Sequence, residues 1–268
     1  MPALIIIRGA GDLASGVALR LYRAGLNVVM TELPAPMAVR RTVAFAEAVY
    51  EGRSKVEEVE GRAVHDPLDT LAILAILSKR QIPVIVDPDC TVAGSMHPLA
   101  IVDARMTKRP PEPMKHRALL YVGLGPGFFA PGNCHAVVET SRGHTLGRVL
   151  WEGAALDDTA APAGDSRRIL RAPTAGILRS ESQIGQRFRA GDAIASVDTS
   201  TIAAPFDGIL RGILRPGTAA AAGMKIGDLD AHGDPRACEL VSDKSLAVGG
   251  GVMEALLARP AVRIQLWA

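Results

Sequence analysis

The stretch Leu4-Ile5-Ile6-Ile7-Arg8-Gly9-Ala10-Gly11-Asp12-Leu13-Ala14 decides the expected fold. Its four leading apolar residues, three of them β-branched, suit a strand covered on both faces. Gly9-Ala10-Gly11 reads as a tight turn. Leu13, Val17 and Leu21 then recur at helical spacing, with Ala14 and Ala18 beside them. Gly25 closes that helix, and Val28-Val29-Met30 reads as the next strand.

The same alternation continues outward. Residues 71–79 are apolar almost all round and predict a well-buried helix, with Asp66 as N-cap and Pro67 at its first position. Residues 82–86, 100–102 and 119–122 read as strands. Strands alternating with helices predict right-handed crossovers, hence a Rossmann-like, mostly parallel α/β domain over residues 1–165. Pro110, Pro111 and Pro113 mark a linker or sharp turn. After it come the glycine-rich Gly123–Gly127 segment and β-like runs at 136–140 and 148–151.

Residues 172–178, Ala-Pro-Thr-Ala-Gly-Ile-Leu, return 32 positions later as Ala-Pro-Phe-Asp-Gly-Ile-Leu at 204–210. With short apolar runs and turn glycines around them, they predict a small all-β module over 166–230 with pseudo-twofold symmetry. The pattern resembles the biotinyl/lipoyl-type hammerhead. A carrier of that type needs a lysine at the hairpin tip between its halves. Here that hairpin reads Val197-Asp198-Thr199-Ser200-Thr201-Ile202, so a structural or docking module is expected. Residues 231–268 are expected to pack back on the α/β domain. In that segment Gly249-Gly250-Gly251 would lead into a helix over 252–258 and could hold an anion, and 262–267 would form a closing strand.

Composition removes several function classes. Thirty Lys and Arg stand against 28 Asp and Glu with no basic block, so no nucleic-acid stripe is expected. Aromatics are 4%, too few for a base-stacking platform. Cys90, Cys134 and Cys238 lie far apart, which excludes zinc-ribbon and redox-pair spacings and suits a reducing compartment. The apolar runs are far shorter than the ~20 residues of a membrane span. A cytoplasmic protein without membrane or nucleic-acid partners is the expectation.

Several residues could carry chemistry. Gly9, Gly11 and Ala14 fit G-x-G-x-x-A, and Glu32 follows Gly11 by 21 positions at the end of the next strand. In a dinucleotide site the glycines admit pyrophosphate to a helix N-terminus and the acid accepts from a ribose hydroxyl. Arg8 could add a charge-assisted contact, whereas Asp12 would repel phosphate. Glu32, Asp87, Asp103, Arg8 and the Gly123–Gly127 loop all end predicted strands, where open parallel sheets form their ligand crevice. Asp103 with Arg105, Lys108 and Arg109 could clamp an anionic small molecule, and amides at Gly125 and Gly127 could form an anion nest. His135, Glu139 and His144 are candidates for proton transfer or metal binding. Their spacing matches no standard zinc motif, and no metal site is assigned.

Taken in order, these blocks carry a resemblance. Arg8-Gly9-Ala10-Gly11-Asp12-Leu13-Ala14, Thr31-Glu32-Leu33, Val39-Arg40-Arg41-Thr42-Val43, Gly125-Pro126-Gly127-Phe128, His135-Ala136-Val137-Val138-Glu139-Thr140 and Ser242-Asp243-Lys244 resemble the YqeB family of selenium-dependent molybdenum hydroxylase accessory proteins. The resemblance runs over nearly the whole chain. It implies a role in maturing or equipping such a hydroxylase, the client enzyme, and supplies no catalytic set. Three readings follow. The chain binds a molybdopterin-type or nucleotide-linked cofactor for delivery or maturation; it is an NAD(P)-dependent oxidoreductase; or it is a non-catalytic docking protein for the client.

Overall fold

A computed structural model describes residues 3–107, 109–112, 118–157, 165–231 and 233–268. The chain divides into two units. One comprises Met1–Pro36, Ala44–Ala160 and Val241–Ala268, the other Met37–Val43 and Ala161–Leu240. The second unit therefore takes in a short N-terminal segment and extends past 230, beyond the 166–230 marked out by the repeat.

The first unit begins with β1 (Leu4–Arg8), α1 (Asp12–Arg23) and β2 (Asn27–Glu32). Then come α2 (Ala48–Glu51), β3 (Arg53–Val56), β4 (Val59–Val64), α3 (Thr70–Ser78), β5 (Ile82–Val86), α4 (Val92–Met96) and β6 (Ala100–Asp103). It continues with β7 (Leu120–Leu124), β8 (Phe129–Ala130), β9 (Ala136–Val138), β10 (Val149–Leu150) and β11 (Gly153–Ala154). Helices α5 (Asp243–Ala258) and α6 (Pro260–Arg263) complete it. Ile5, Ile6, Ile7, Val29, Met30, Val84, Ile85, Val102 and Val122 are fully buried, because the central strands are covered on both faces.

One nine-stranded sheet runs β10-β9-β7-β6-β1-β2-β5-β4-β3. The strands from β9 through β4 are parallel, while β3 and β10 pair antiparallel at the two edges. The expected Rossmann-like, mostly parallel sheet with a biotinyl/lipoyl-hammerhead-like module is therefore corrected. The fold is a mixed nine-stranded sheet with a two-stranded sheet and two four-stranded antiparallel sheets beside it. The edge strand β3 escaped the reading for a physical reason: it carries Arg53, Ser54 and Lys55 and so has no apolar run to mark it. The other edge strand, β10, lies within the β-like run expected at 148–151.

Three local expectations are also corrected. Helix α3 starts at Thr70, not Pro67, with the Asp69 carboxylate accepting from Ala72 N–H at 2.9 Å. Only Ile73 of α3 is fully covered, and Leu71 is 79% exposed. Gly249–Gly251 lie inside α5, whose N-cap Ser242 accepts from Ser245 N–H. They do not lead into the helix. They let it approach its neighbours: a Cβ on Gly249 would lie 3.2 Å from Gly16 O, and one on Gly251 would strike Gly147 O. Residues 260–263 form α6 rather than part of a closing strand.

The second unit holds β12 (Ile169–Arg171), β13 (Gly176–Arg179), β14 (Arg187–Phe188) and β15 (Ala193–Val197). Then follow β16 (Ser200–Ala203), β17 (Gly208–Ile213), β18 (Ala219–Ala220) and β19 (Lys225–Asp230). Its sheets run β12-β19-β17-β14 and β16-β15-β13-β18. The offset that relates Gly176 to Gly208 carries β12–β15 onto β16–β19, and the first sheet order onto the second. Leu178, Val197, Leu210, Ile213, Ile226 and Leu229 fill the shared core. No helix among the described residues is long and apolar enough to cross a membrane.

Candidate functional site

Strand order reverses at β1. From there the sheet grows through β2 and β5 on one side and through β6 and β7 on the other. Ligands of open α/β sheets bind outside the carboxyl ends of strands at such a switch point. Arg8 ends β1 and Asp103 ends β6, and the two are register partners; Asp103 is in turn opposite Gly123 of β7. The fold thus brings together Arg8, Gly9, Gly11, Asp12, Glu32, Asp103 and Arg105, with Gly125 and Gly127 on the same sheet edge.

A compact charged cluster sits here. Asp103 is 1% exposed and accepts from Arg8 Nη1 at 3.3 Å, Arg105 Nη2 at 2.8 Å and the Tyr121 hydroxyl at 2.8 Å. Arg105 reaches outward as well, to Glu112 Oε2 at 3.2 Å. Burial opposes the Arg105 charge, but the carboxylates of Asp103 and Glu112 outweigh it and raise its pKa. Burial, reinforced by the Asp103 charge, also raises the Tyr121 hydroxyl, which stays protonated as a donor. Arg8 and Arg105 are both held by Asp103, so the edge lacks the free positive bias expected of an anion clamp.

The glycine turn combines open and filled donors. Gly9 has φ +99°, and a Cβ there would meet Ala104 O at 3.3 Å, so the turn needs glycine. Gly11 has φ −67°, ordinary for any residue, and a Cβ there meets nothing within 4 Å. Space therefore lies open over the head of α1. Two neighbouring amides are already bonded by the chain's own carboxylates: Ala10 N–H donates to Glu32 Oε2 and Leu13 N–H to Asp12 Oδ1, each at 2.8 Å. The other oxygen of Glu32 accepts from Leu33 N–H at 2.7 Å. Burial raises the Glu32 pKa, with the Leu33 and Ala10 amides pulling the other way.

Other strand-end groups serve the scaffold. Asp87 accepts from Thr91 N–H and Val92 N–H at 2.9 Å each, holding the turn that leads into α4. Gly125 has φ +71° and its N–H donates to Val138 O; a Cβ there would strike Thr140 Oγ1. A Cβ on Gly127, φ +97°, would strike Arg109 O. Both glycines are explained by close packing. Lys108 lies outside the described residues.

His135, Glu139 and His144 do not form one site. His135 precedes β9 and Glu139 follows it, at opposite ends of a parallel strand. His135 Nδ1 accepts Tyr121 N–H at 2.8 Å. Glu139 is buried and accepts from Ser141 N–H and Leu156 N–H at 2.6 and 2.8 Å. His144 is exposed, and its carbonyl accepts from Arg148 Nε. Among the described residues no three His, Cys, Asp or Glu side chains are grouped to hold a metal.

Two residues of the cluster were missed in the sequence. Tyr121 reads as core in the run 119–122, and only the fold turns its hydroxyl onto Asp103. Cys90 is fully buried with φ +58°; its thiol is pushed up to about 12, chiefly by burial, and senses the charges of Arg8, Asp87, Asp103 and Arg105. The turn Pro88-Asp89-Cys90 after a strand ending in Asp87 was the available signal.

No family model matches the chain. Among solved structures it is similar to an aspartoacylase family protein from Mesorhizobium loti, with a TM-score of 0.26 and 10% identity over 85% of this chain and 84% of that one. A succinylglutamate desuccinylase/aspartoacylase from Rhodobacter sphaeroides gives a TM-score of 0.26 and 14% identity, covering 85% of each chain. Likenesses this slight carry no argument about the present chain. The sequence is 44% identical over 258 residues to the uncharacterized protein YqeB of Escherichia coli (strain K12), covering 95% of this chain and 47% of that protein. The chain spans about half the length of that Escherichia coli protein.

Proposed function

We propose that this chain is an accessory protein of a selenium-dependent molybdenum hydroxylase system. On this reading it binds a pterin-phosphate or nucleotide-like ligand at the carboxyl edge of the nine-stranded sheet. The observation that carries the reading is the open space at Gly11, at the head of α1 and beside the switch point. An anionic group placed there meets the positive end of a helix dipole. Arg105, half-buried and paired with both Asp103 and Glu112, is a cation on the same sheet edge.

The fit to a phosphate is partial, and the residues say how. Ala10 N–H and Leu13 N–H are engaged by Glu32 and Asp12, so an anion approaches over Gly11 rather than into the turn. A molybdopterin-type cofactor would supply the metal and its redox chemistry. The chain's own part is to bind and orient it. The NAD(P)-dependent reading has less support, because both Glu32 oxygens already accept backbone N–H groups. Calorimetric titration of the whole chain with pyrophosphate, NAD, NADP and molybdopterin tests the proposal. Saturable binding of molybdopterin supports it, and heat from NAD alone replaces it with the dehydrogenase reading.

A further inference from the structure

Among the described residues the outer face of α3 is left uncovered. Leu71, Leu74, Ala75 and Ser78 recur at i, i+3, i+4 and i+7, and all four are exposed. Leu71 is 79% and Leu74 42% exposed, with Leu68 at 69% just ahead of the helix. The inner face is accounted for: Ile73 is buried, and Ile76 and Leu77 pack on the same core. No charged residue lies between Asp69 and Lys79. A helix apolar on every side is normally covered on every side, and contiguous apolar surface marks an interaction site.

We propose that this face is covered by the same face of a second copy of the chain, the two α3 helices running antiparallel about a twofold axis. The charges at its ends argue for that occupant. Asp66 and Asp69 stand at the N-terminal end and are exposed; Lys79 stands exposed at the C-terminal end. Arg80, next to it, is turned back onto the Tyr22 ring at 4.5 Å. An isologous contact pairs residue i with j and j with i. An axis passing between Leu74 and Ala75 brings each Lys79 to the acidic end of the opposite helix. The same arrangement sets the helix dipoles head to tail. It lets Leu71 and Leu74 of one copy fill the low ground over Ala75 and Ser78 of the other.

Sedimentation or light scattering on the full chain over a range of concentrations tests this. The expected result is a dimer. Leu71→Glu with Leu74→Glu should give a monomer with unchanged circular dichroism. Lys79→Glu, a surface change that leaves the helix intact, should raise the dimer dissociation constant severalfold, and adding Asp66→Lys should restore it. A monomer at the highest soluble concentration overturns the proposal. So does a dimer indifferent to Lys79→Glu. A monomer that pairs instead with a polypeptide corresponding to the rest of YqeB overturns it as well, by naming a different occupant.

Discussion

Gly11→Val separates ligand binding from folding, because the structure makes the position free for the fold and occupied only by an incoming ligand. Its backbone, φ −67° and ψ −178°, is open to any residue, and a Cβ meets nothing within 4 Å. Valine is a poorer N-cap than glycine, a loss of about 0.5–1 kcal/mol. Restricting the unfolded chain returns about 0.4–1 kcal/mol. The urea midpoint should therefore barely move. Binding should respond strongly, since the added branches stand where an anion would approach the head of α1. Losing one charge-assisted hydrogen bond, at about 1.5–3 kcal/mol, weakens affinity roughly 10- to 150-fold. The assay is calorimetric titration of wild type and variant with whichever phosphate-bearing ligand binds the wild type, with denaturation curves for both. Gly9→Val is the contrasting control. At φ +99° and with Ala104 O 3.3 Å from its Cβ, it should damage the fold itself. A folded Gly11→Val protein with undiminished affinity would refute the placement of the site.

Asp103→Asn leaves Arg8 and Arg105 beside a neutral group in a buried position, and should destabilise the fold by about 3–5 kcal/mol in urea denaturation. Two adjacent glycines of α5 should respond with opposite sign. Gly251→Ala places a methyl group against Gly147 O and should cost about 1–3 kcal/mol, whereas Gly250→Ala, with nothing within 4 Å, should gain about 0.5–1 kcal/mol. Burial, with the Arg259 charge as second cause, lowers the His135 pKa below its ordinary 6.5. A depressed folded-state pKa means that the stability is present above that unfolded value and is lost as pH falls through the folded one. Protonation also removes the Nδ1 acceptor from Tyr121 N–H. His135→Asn keeps an acceptor that does not titrate in this range. Melting curves from neutral to mildly acidic pH should therefore fall less steeply in the variant, and identical slopes would show that His135 contributes nothing.

Local physics made part of this protein legible from its residues alone. The apolar run 4–7, the glycine turn and the amphipathic helix behind it are short-range patterns, and they place Arg8, Gly9 and Gly11 at the end of a strand without help from anything distant. The 32-residue repeat works the same way, since equal local sequences make equal strands. Glu32 and Asp103 were also found at strand ends, and Arg105 beside Asp103, yet their partners across the sheet were not. That the Glu32 carboxylate bonds Ala10 N–H, and that Asp103 also gathers Arg8 and Tyr121, depends on which strands lie side by side. Nothing near either residue in sequence specifies that order. His135 and Glu139 show the converse: four residues apart on one strand, they look like neighbours, but a parallel strand delivers them to opposite edges of the sheet. Helix α3 and the Gly249–Gly251 run mark the same boundary. Composition told that α3 is apolar and that the run lacks side chains. Only the tertiary structure decided that one face of α3 stays open and that the glycines admit Gly16 and Gly147, because burial and close approach belong to surfaces far apart along the chain.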